Sequence, residues 1–215
     1  MKNKKDNDNK RGKRMEEVKD LILYQVATDR NYKVGDKLVF DKNTPNGQSK
    51  RVFSSSFKLD GERPCDILYN IAGHRLKKLK RSQLYELAHI LEYYDVFVKE
   101  LALEQVRASA FPSMPSRLHC MYLSISKDIA LQNIENMSRN REKNGSLFQA
   151  VAVKLNGVIF KAGKFYMTRE SKSYEYYKEK AYGYWSQKDL KDEEVKEILF
   201  VGEAEVVEIL KEIKK

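Results

Sequence analysis

Two cysteines, three histidines, four prolines and one tryptophan are all that this chain of 215 residues has of those types. Cys65 and Cys120 lie far apart and form neither a redox pair nor a zinc spacing. His74, His89 and His119 add no ligand pattern, which argues against a metalloenzyme. A glycine-rich phosphate loop and a nucleophile elbow are both missing, which argues against a P-loop NTPase and a serine hydrolase. No apolar run approaches the roughly 18 residues needed to span a bilayer. The N-terminus has no apolar stretch behind its charges, so a secretory signal is not expected, and a reducing cytoplasm is the simplest location. No internal repeat is visible.

What is present suits one compact domain. Hydrophobic residues make up 41% of the chain, enough to offset the entropy of ordering it. The net charge of +10 is unevenly placed, because residues 1–14 hold seven bases and two acids and so carry half of it. That segment reads as a disordered basic arm, either a solubilising tail or a handle for RNA or DNA. The remainder, 15–215, reads as a single domain. A second basic cluster, His74–Arg81, is read first as a solvated approach to a helix.

Periodicity predicts strands at both ends and helices in the middle, an α+β order rather than βαβ alternation. Leu21–Ala27 is apolar on both faces and predicts a buried strand, and Leu38–Phe40 a short one. Arg51-Val52-Phe53 is read as a return strand. A short helix is predicted near Asp66–Ala72. Ser82 is taken as the N-cap of a long helix to about Ala108, with Leu84, Leu87, Leu91, Tyr94, Val98 and Leu101 as its buried stripe. Leu118–Ile125 predicts a strand, and Ser126 caps the helix after it. Asn156-Gly157 predicts a hairpin between Phe148–Leu155 and Val158–Phe160, and Gly202-Glu203 a second hairpin between Val195–Val201 and Glu205–Leu210. Phe165-Tyr166-Met167 is a further short strand, and the Tyr-rich Ser173–Trp185 fits either helix or loop.

The informative residues are polar groups inside apolar strands, where they cost free energy unless paired or used. Gln25 shares a face with Leu21, Leu23 and Ala27. Glu197 shares one with Val195, Leu199 and Val201, as a functional carboxylate would. Tyr122 and Ser124 share a face just before a strand-to-helix turn. Each has an ordinary reading as well. Glu197 fits the exposed start of its strand, Gln25 a bond to a nearby loop, and Tyr122 a core ring whose hydroxyl reaches the surface.

These residues resemble the three motifs of ADP-ribosyltransferases of the diphtheria-toxin and poly(ADP-ribose) polymerase type. Leu23-Tyr24-Gln25-Val26 resembles the first motif, Arg117–Ser124 the second and Glu197-Ile198-Leu199-Phe200 the third. Lys33-Val34-Gly35-Asp36, Asn46-Gly47 and Pro115-Ser116-Arg117 are similar to stretches of a bacterial family assigned to that superfamily. The resemblance implies a split β-sheet core with a long mid-chain helix, NAD as substrate, and transfer of ADP-ribose to a macromolecule or to water. It implies that Tyr122 stacks on nicotinamide and that Glu197 accepts a bond from the ribose. It further implies that Gln25 holds a ribose, that the backbone beside it near Tyr24 grips the carboxamide, and that Ser124 gives support. Gln25 stands where histidine is usual; it can donate and accept but cannot titrate. A second expectation, from a different class, is a non-catalytic nucleic-acid-binding or interaction protein whose aromatics, Tyr174 to Trp185, stack on bases.

Overall fold

The structure is a computed structural model, and it describes residues 15–54, 63–73, 80–139, 146–163, 172–186 and 195–214. The basic arm, most of the cluster His74–Arg81 and the strand expected at Phe165-Tyr166-Met167 lie outside them.

Three long strands carry the α+β fold: β1 (Met15–Thr28), β4 (Leu147–Gly163) and β5 (Val195–Lys214). They pair antiparallel in the order β1-β4-β5. β4 lies between the other two, which explains its near-continuous burial from Phe148 to Val153. Two short strands share the far edge of β5. β2 (Lys37–Phe40) pairs with Gly202–Glu205, and β3 (Met121–Leu123) with Ile198–Phe200. Tyr24 and Ser124 then exchange backbone hydrogen bonds of 3.3 and 2.7 Å, which joins β1 to β3. The pairings β1-β4-β5-β3-β1 close a ring. Leu23, Met121, Leu123, Val151, Val153, Ile198, Phe200 and Val206 form the core on one face of this sheet.

Neither expected hairpin exists. β4 runs straight through Asn156-Gly157, and β5 through Gly202-Glu203. The two glycines face each other in register. Glycine serves here to let two backbones approach, not to reverse the chain. A Cβ on Gly202 would sit 2.8 Å from the Cα of Gly157, against the Asn156 carbonyl, and Gly202 has φ +139°. The ring of Phe200 packs beside both positions. Gly202→Ala is therefore expected to destabilise the protein by about 1–3 kcal/mol, the usual cost of such strain, read from urea unfolding. A loss under about 0.5 kcal/mol would show that the crossing relaxes easily.

The helices cover the sheet. α1 (Gly47–Ser54) replaces the expected return strand at Arg51-Val52-Phe53. Asn46 starts this helix, its Oδ1 accepting from Ser49 N at 2.9 Å. α2 (Pro64–Ala72) agrees with the sequence, and proline at its first position suits a helix start. α3 (Arg81–Ala110) begins one residue before the expected cap. Lys80 is the cap, and its N–H donates to Gln83 Oε1 at 2.9 Å. The stripe is also displaced. Leu87 is buried, but Leu84, Leu91, Tyr94 and Leu101 are exposed, while Ile90, Lys99, Glu100, Ala102 and Leu103 face inward. α4 (Lys127–Arg139) is capped by Ser126 as expected, with Ile129 N donating to its Oγ at 3.2 Å. α5 (Tyr174–Ser186) resolves the Tyr-rich stretch as a helix, and its Trp185 Nε1 donates to the Leu103 carbonyl at 2.8 Å. No helix among the described residues is long and apolar enough to cross a membrane.

Candidate functional site

The expected strand Leu118–Ile125 shortens to Met121–Leu123, because residues 117–120 turn around Asn46. The Asn46 side-chain amide is buried and donates to the carbonyls of Arg117 and Cys120, both at 2.8 Å. Asn46 thereby couples α1 to the turn that presents Arg117.

Arg117 is the centre of the site. It is 4% exposed. Its Nε and Nη2 donate to the two oxygens of Glu100 at 3.0 and 3.3 Å. Its Nη1 donates to Tyr184 OH at 2.9 Å and to Glu197 Oε1. Tyr184 OH in turn donates to Glu197 Oε1 at 2.8 Å. The guanidinium carbon lies 5.0 Å from the Tyr122 ring centroid and 5.2 Å from that of Tyr184, within cation–π range of both. Tyr122 OH donates to the Arg117 carbonyl at 2.6 Å. Its hydroxyl therefore turns inward, contrary to the reading in which it reaches the surface.

Burial alone would discharge these groups, and pairing decides otherwise. Burial works most strongly against the Arg117 charge, but Glu100 and Glu197 outweigh it and hold the guanidinium well above its ordinary value. Burial likewise acts to raise Glu100, yet Arg117 prevails and keeps the carboxyl low. Lys99 Nζ, 4.0 Å away, and Gln48 Nε2 at 3.2 Å also face Glu100. Tyr122 and Tyr184 are pushed well above 10, chiefly by burial, and stay neutral. The Cys120 thiol is driven up by burial, which disfavours the thiolate.

A pH profile follows from these directions. Glu100 titrates in the folded state below its ordinary 4.5, so its stabilisation is complete above that pH and is lost as pH falls through the lower folded value. The two phenols lie above 10 when folded, so their contribution is complete below pH 10 and is lost as pH rises beyond it. Urea unfolding across pH should give a plateau that declines at both ends. Stability that increases from about pH 5 to 3 would contradict the buried pair.

In front of this cluster is a cleft of about 420 Å³ lined by Val26, Tyr122, Leu123, Ser124, Asn133, Asn136, Met137 and Glu197. Register explains the meeting of three expected residues. Tyr122 stands opposite Leu199 on β5, and Glu197 and Ser124 share that face of the sheet. Glu197 is one-fifth exposed, so it is neither a free surface acid nor a sealed core residue. Its bonds from Arg117 and Tyr184 both end on Oε1, and Oε2 has capacity for a ligand.

Gln25 is not part of this cleft. Strand alternation sets it beside Leu23 and Ala27 on the core face, and the cleft takes its neighbour Val26. Its buried Oε1 has no hydrogen-bond partner. Gln25, expected to hold a ribose, therefore lies on the opposite side of the sheet from the cleft that collects Tyr122, Ser124 and Glu197. Tyr24 touches the site through its backbone bonds to Ser124, and it is not among the cleft-lining residues. A larger depression of about 700 Å³, bounded by Glu17–Lys19 and residues 156–158, collects none of the candidates.

The sequence did not mark Glu100 or Tyr184. Tyr184 stands in the sequence as one of the aromatics between Tyr174 and Trp185. A signal for Glu100 was available in hindsight of its helix alone, since Leu103 places position 100 one turn earlier on the same inward face.

Fold and site together define an α+β protein with an acid-bearing cleft backed by a buried ion-pair cluster. The chain belongs to the family described as protein of unknown function (DUF2441), which matches it over residues 23–212. No curated protein matches it. Among the described residues no group of three or more His, Cys, Asp or Glu is placed to hold a metal.

Proposed function

We propose that this protein is an ADP-ribosyltransferase-like enzyme that binds NAD in the cleft and breaks the nicotinamide–ribose bond. The observation that carries this reading is the convergence of Tyr122 of β3, Ser124 directly after it and Glu197 of β5 on one cleft. The Tyr122 ring would stack on nicotinamide, with its hydroxyl already satisfied by the Arg117 carbonyl. Glu197 Oε2 would accept a hydrogen bond from the ribose. The bond from the anomeric carbon to the ring nitrogen breaks, and its electron pair leaves with nicotinamide, which departs neutral. The ribose is left oxocarbenium-like, and an acceptor oxygen or nitrogen, or water, attacks it. A carboxylate held rigidly beside that carbon stabilises the developing charge more than the ground state. Arg117 and Tyr184 provide the rigidity by fixing Oε1. The basic arm makes nucleic acid the acceptor class within this proposal.

Binding without transfer is the second reading. The placement of Gln25 on the core face favours it, since the first motif then offers the cleft only the apolar side chain of Val26 and no polar one. Labelled NAD separates the two. Nicotinamide release by the wild-type protein, lost in Glu197→Gln, supports transfer or hydrolysis. NAD-induced thermal stabilisation without release supports binding alone.

A further inference from the structure

The apolar stripe of α3 has a regular spacing, and the fold leaves most of it in solvent. Leu84, Leu91 and Val98 are seven residues apart, and Tyr94 and Leu101 form a second line of the same spacing. Apolar residues alternating at steps of three and four mark a helix face that packs lengthwise on another helix. Three neighbours occupy other sides of α3. Leu87 packs with Ile67 and Ile71 of α2, and the Phe97 ring lies 5.2 Å from that of Phe53 on α1. Asp95 Oδ1 and the Leu103 carbonyl accept from Tyr177 OH and Trp185 Nε1 of α5 at 2.6 and 2.8 Å. Leu84, Leu91, Tyr94 and Leu101 are nevertheless 55%, 62%, 53% and 40% exposed, and Val98 is half-buried.

Single exposed leucines are ordinary, whereas a contiguous apolar strip marks a contact surface. Charge decides between occupants. Within α3 the acids Glu86, Glu92, Asp95, Glu100 and Glu104 outnumber the bases Arg81, Lys99 and Arg107, although the whole chain carries +10. A helix with an acidic surplus disfavours nucleic acid and an anionic membrane surface. The five residues of the strip carry no charge, so a second copy can lie on it without placing like charges together. An antiparallel crossing about a two-fold axis midway between Tyr94 and Val98 brings Leu91 against Leu101 and Tyr94 against Val98. Each side chain has on the order of 100 Å² of apolar surface to lose. Two copies then cover on the order of 1,000 Å² in all, the lower bound for a specific interface and the range of reversible ones.

We infer that α3 is a homodimer interface, on which Leu84, Leu91, Tyr94, Val98 and Leu101 pack antiparallel against the same strip of a second copy of this chain. The contact is two-fold and reversible, with a dissociation constant in the micromolar range. It does not depend on what the cleft binds. It does bear on the cleft, because α3 also holds Glu100, which Arg117 connects to Glu197.

The test is sedimentation equilibrium of the full, nuclease-treated chain from about 1 to about 200 µM, a range that brackets a micromolar association. The wild-type protein should pass from one chain to two across that range and stop there. Leu91→Glu/Leu101→Glu sets carboxylates against each other across the axis and should weaken association at least about tenfold. Val39→Glu is the control, because Val39 is as exposed as Leu91 but lies on β2; its dimer should form as in the wild type. All the substituted side chains are exposed, and a thermal melt checks folding. If Leu91→Glu/Leu101→Glu does not fold, Leu91→Gln/Leu101→Gln takes its place and should also weaken the dimer. A wild-type chain that stays single at about 200 µM overturns the interface. So does a dimer that the folded double variant leaves unchanged, or one that Val39→Glu abolishes equally. Growth beyond two chains overturns the two-fold contact in favour of a head-to-tail one. Dissociation by about 0.5 M salt would show that charges rather than the apolar strip hold the copies together, and also overturns it.

Discussion

Arg117→Met should lower the free energy of unfolding by about 3–5 kcal/mol, the usual cost of removing one partner from a buried pair. The reason is the group left behind. Glu100 is 1% exposed and receives two of its bonds from Arg117. Lys99 and Gln48 compensate only in part, because Lys99 is 4.0 Å away and Gln48 is neutral. The double variant Arg117→Met/Glu100→Met should recover much of the loss, since replacing both charges by apolar groups removes the desolvation cost along with the attraction. The single tryptophan, Trp185, is buried against Leu103 and Phe160 and reports the unfolding by fluorescence. A loss under about 1 kcal/mol for Arg117→Met would show that the guanidinium is not holding the helices to the sheet. Additive losses in the double variant would show that Glu100 and Arg117 do not depend on each other.

Nicotinamide release should fall by about 10²–10³-fold in Glu197→Gln, the scale for losing one preorganised electrostatic contact to a transition state. Glutamine keeps the shape and can still accept from Arg117 and Tyr184, so the fold is expected to survive while the negative charge is lost. The effect should appear in kcat more than in KM, because the interaction strengthens only as the ribose becomes cationic. Equal turnover by the two proteins removes Glu197 from the mechanism. A loss confined to KM would make Glu197 a ground-state binding residue instead.

The two substitutions probe different ends of one network. Gln48 of α1, Glu100 of α3, Arg117 and Tyr184 of α5 connect the helices to the acid of β5 through hydrogen bonds. Buried networks of this kind are costly when half satisfied and rigid when complete. Rigidity is what a carboxylate needs if it is to act on a charge that exists only briefly.

Strand alternation makes Glu197, Tyr122 and Ser124 legible as polar residues on otherwise apolar faces, and the three line one cleft. Gln25 is legible in the same way yet lies apart from the cleft, because periodicity gives a residue's face relative to its own strand and not which face of the sheet the cleft occupies. The glycine pairs failed for a related reason. Asn156-Gly157 carries the local chemistry of a turn, but Gly157 is held opposite Gly202, a partner that no local window contains. α3 was found from its period, yet its inward side was misjudged. An isolated helix cannot tell an aliphatic stripe from the slightly rotated face that packs on α5 and holds Glu100.

Composition and period by themselves therefore determined an α+β chain, its long central helix, the Ser126 cap and the acids and phenols worth testing. Those follow from local rules of burial and capping that act within a few residues. Only the tertiary structure decided that Arg117 joins Glu100 to Glu197, that Gln25 faces the core, and that α4 lines the cleft beside β3. Each is a contact between segments far apart in sequence, and its energy depends on burial that exists only once the sheet and helices have packed.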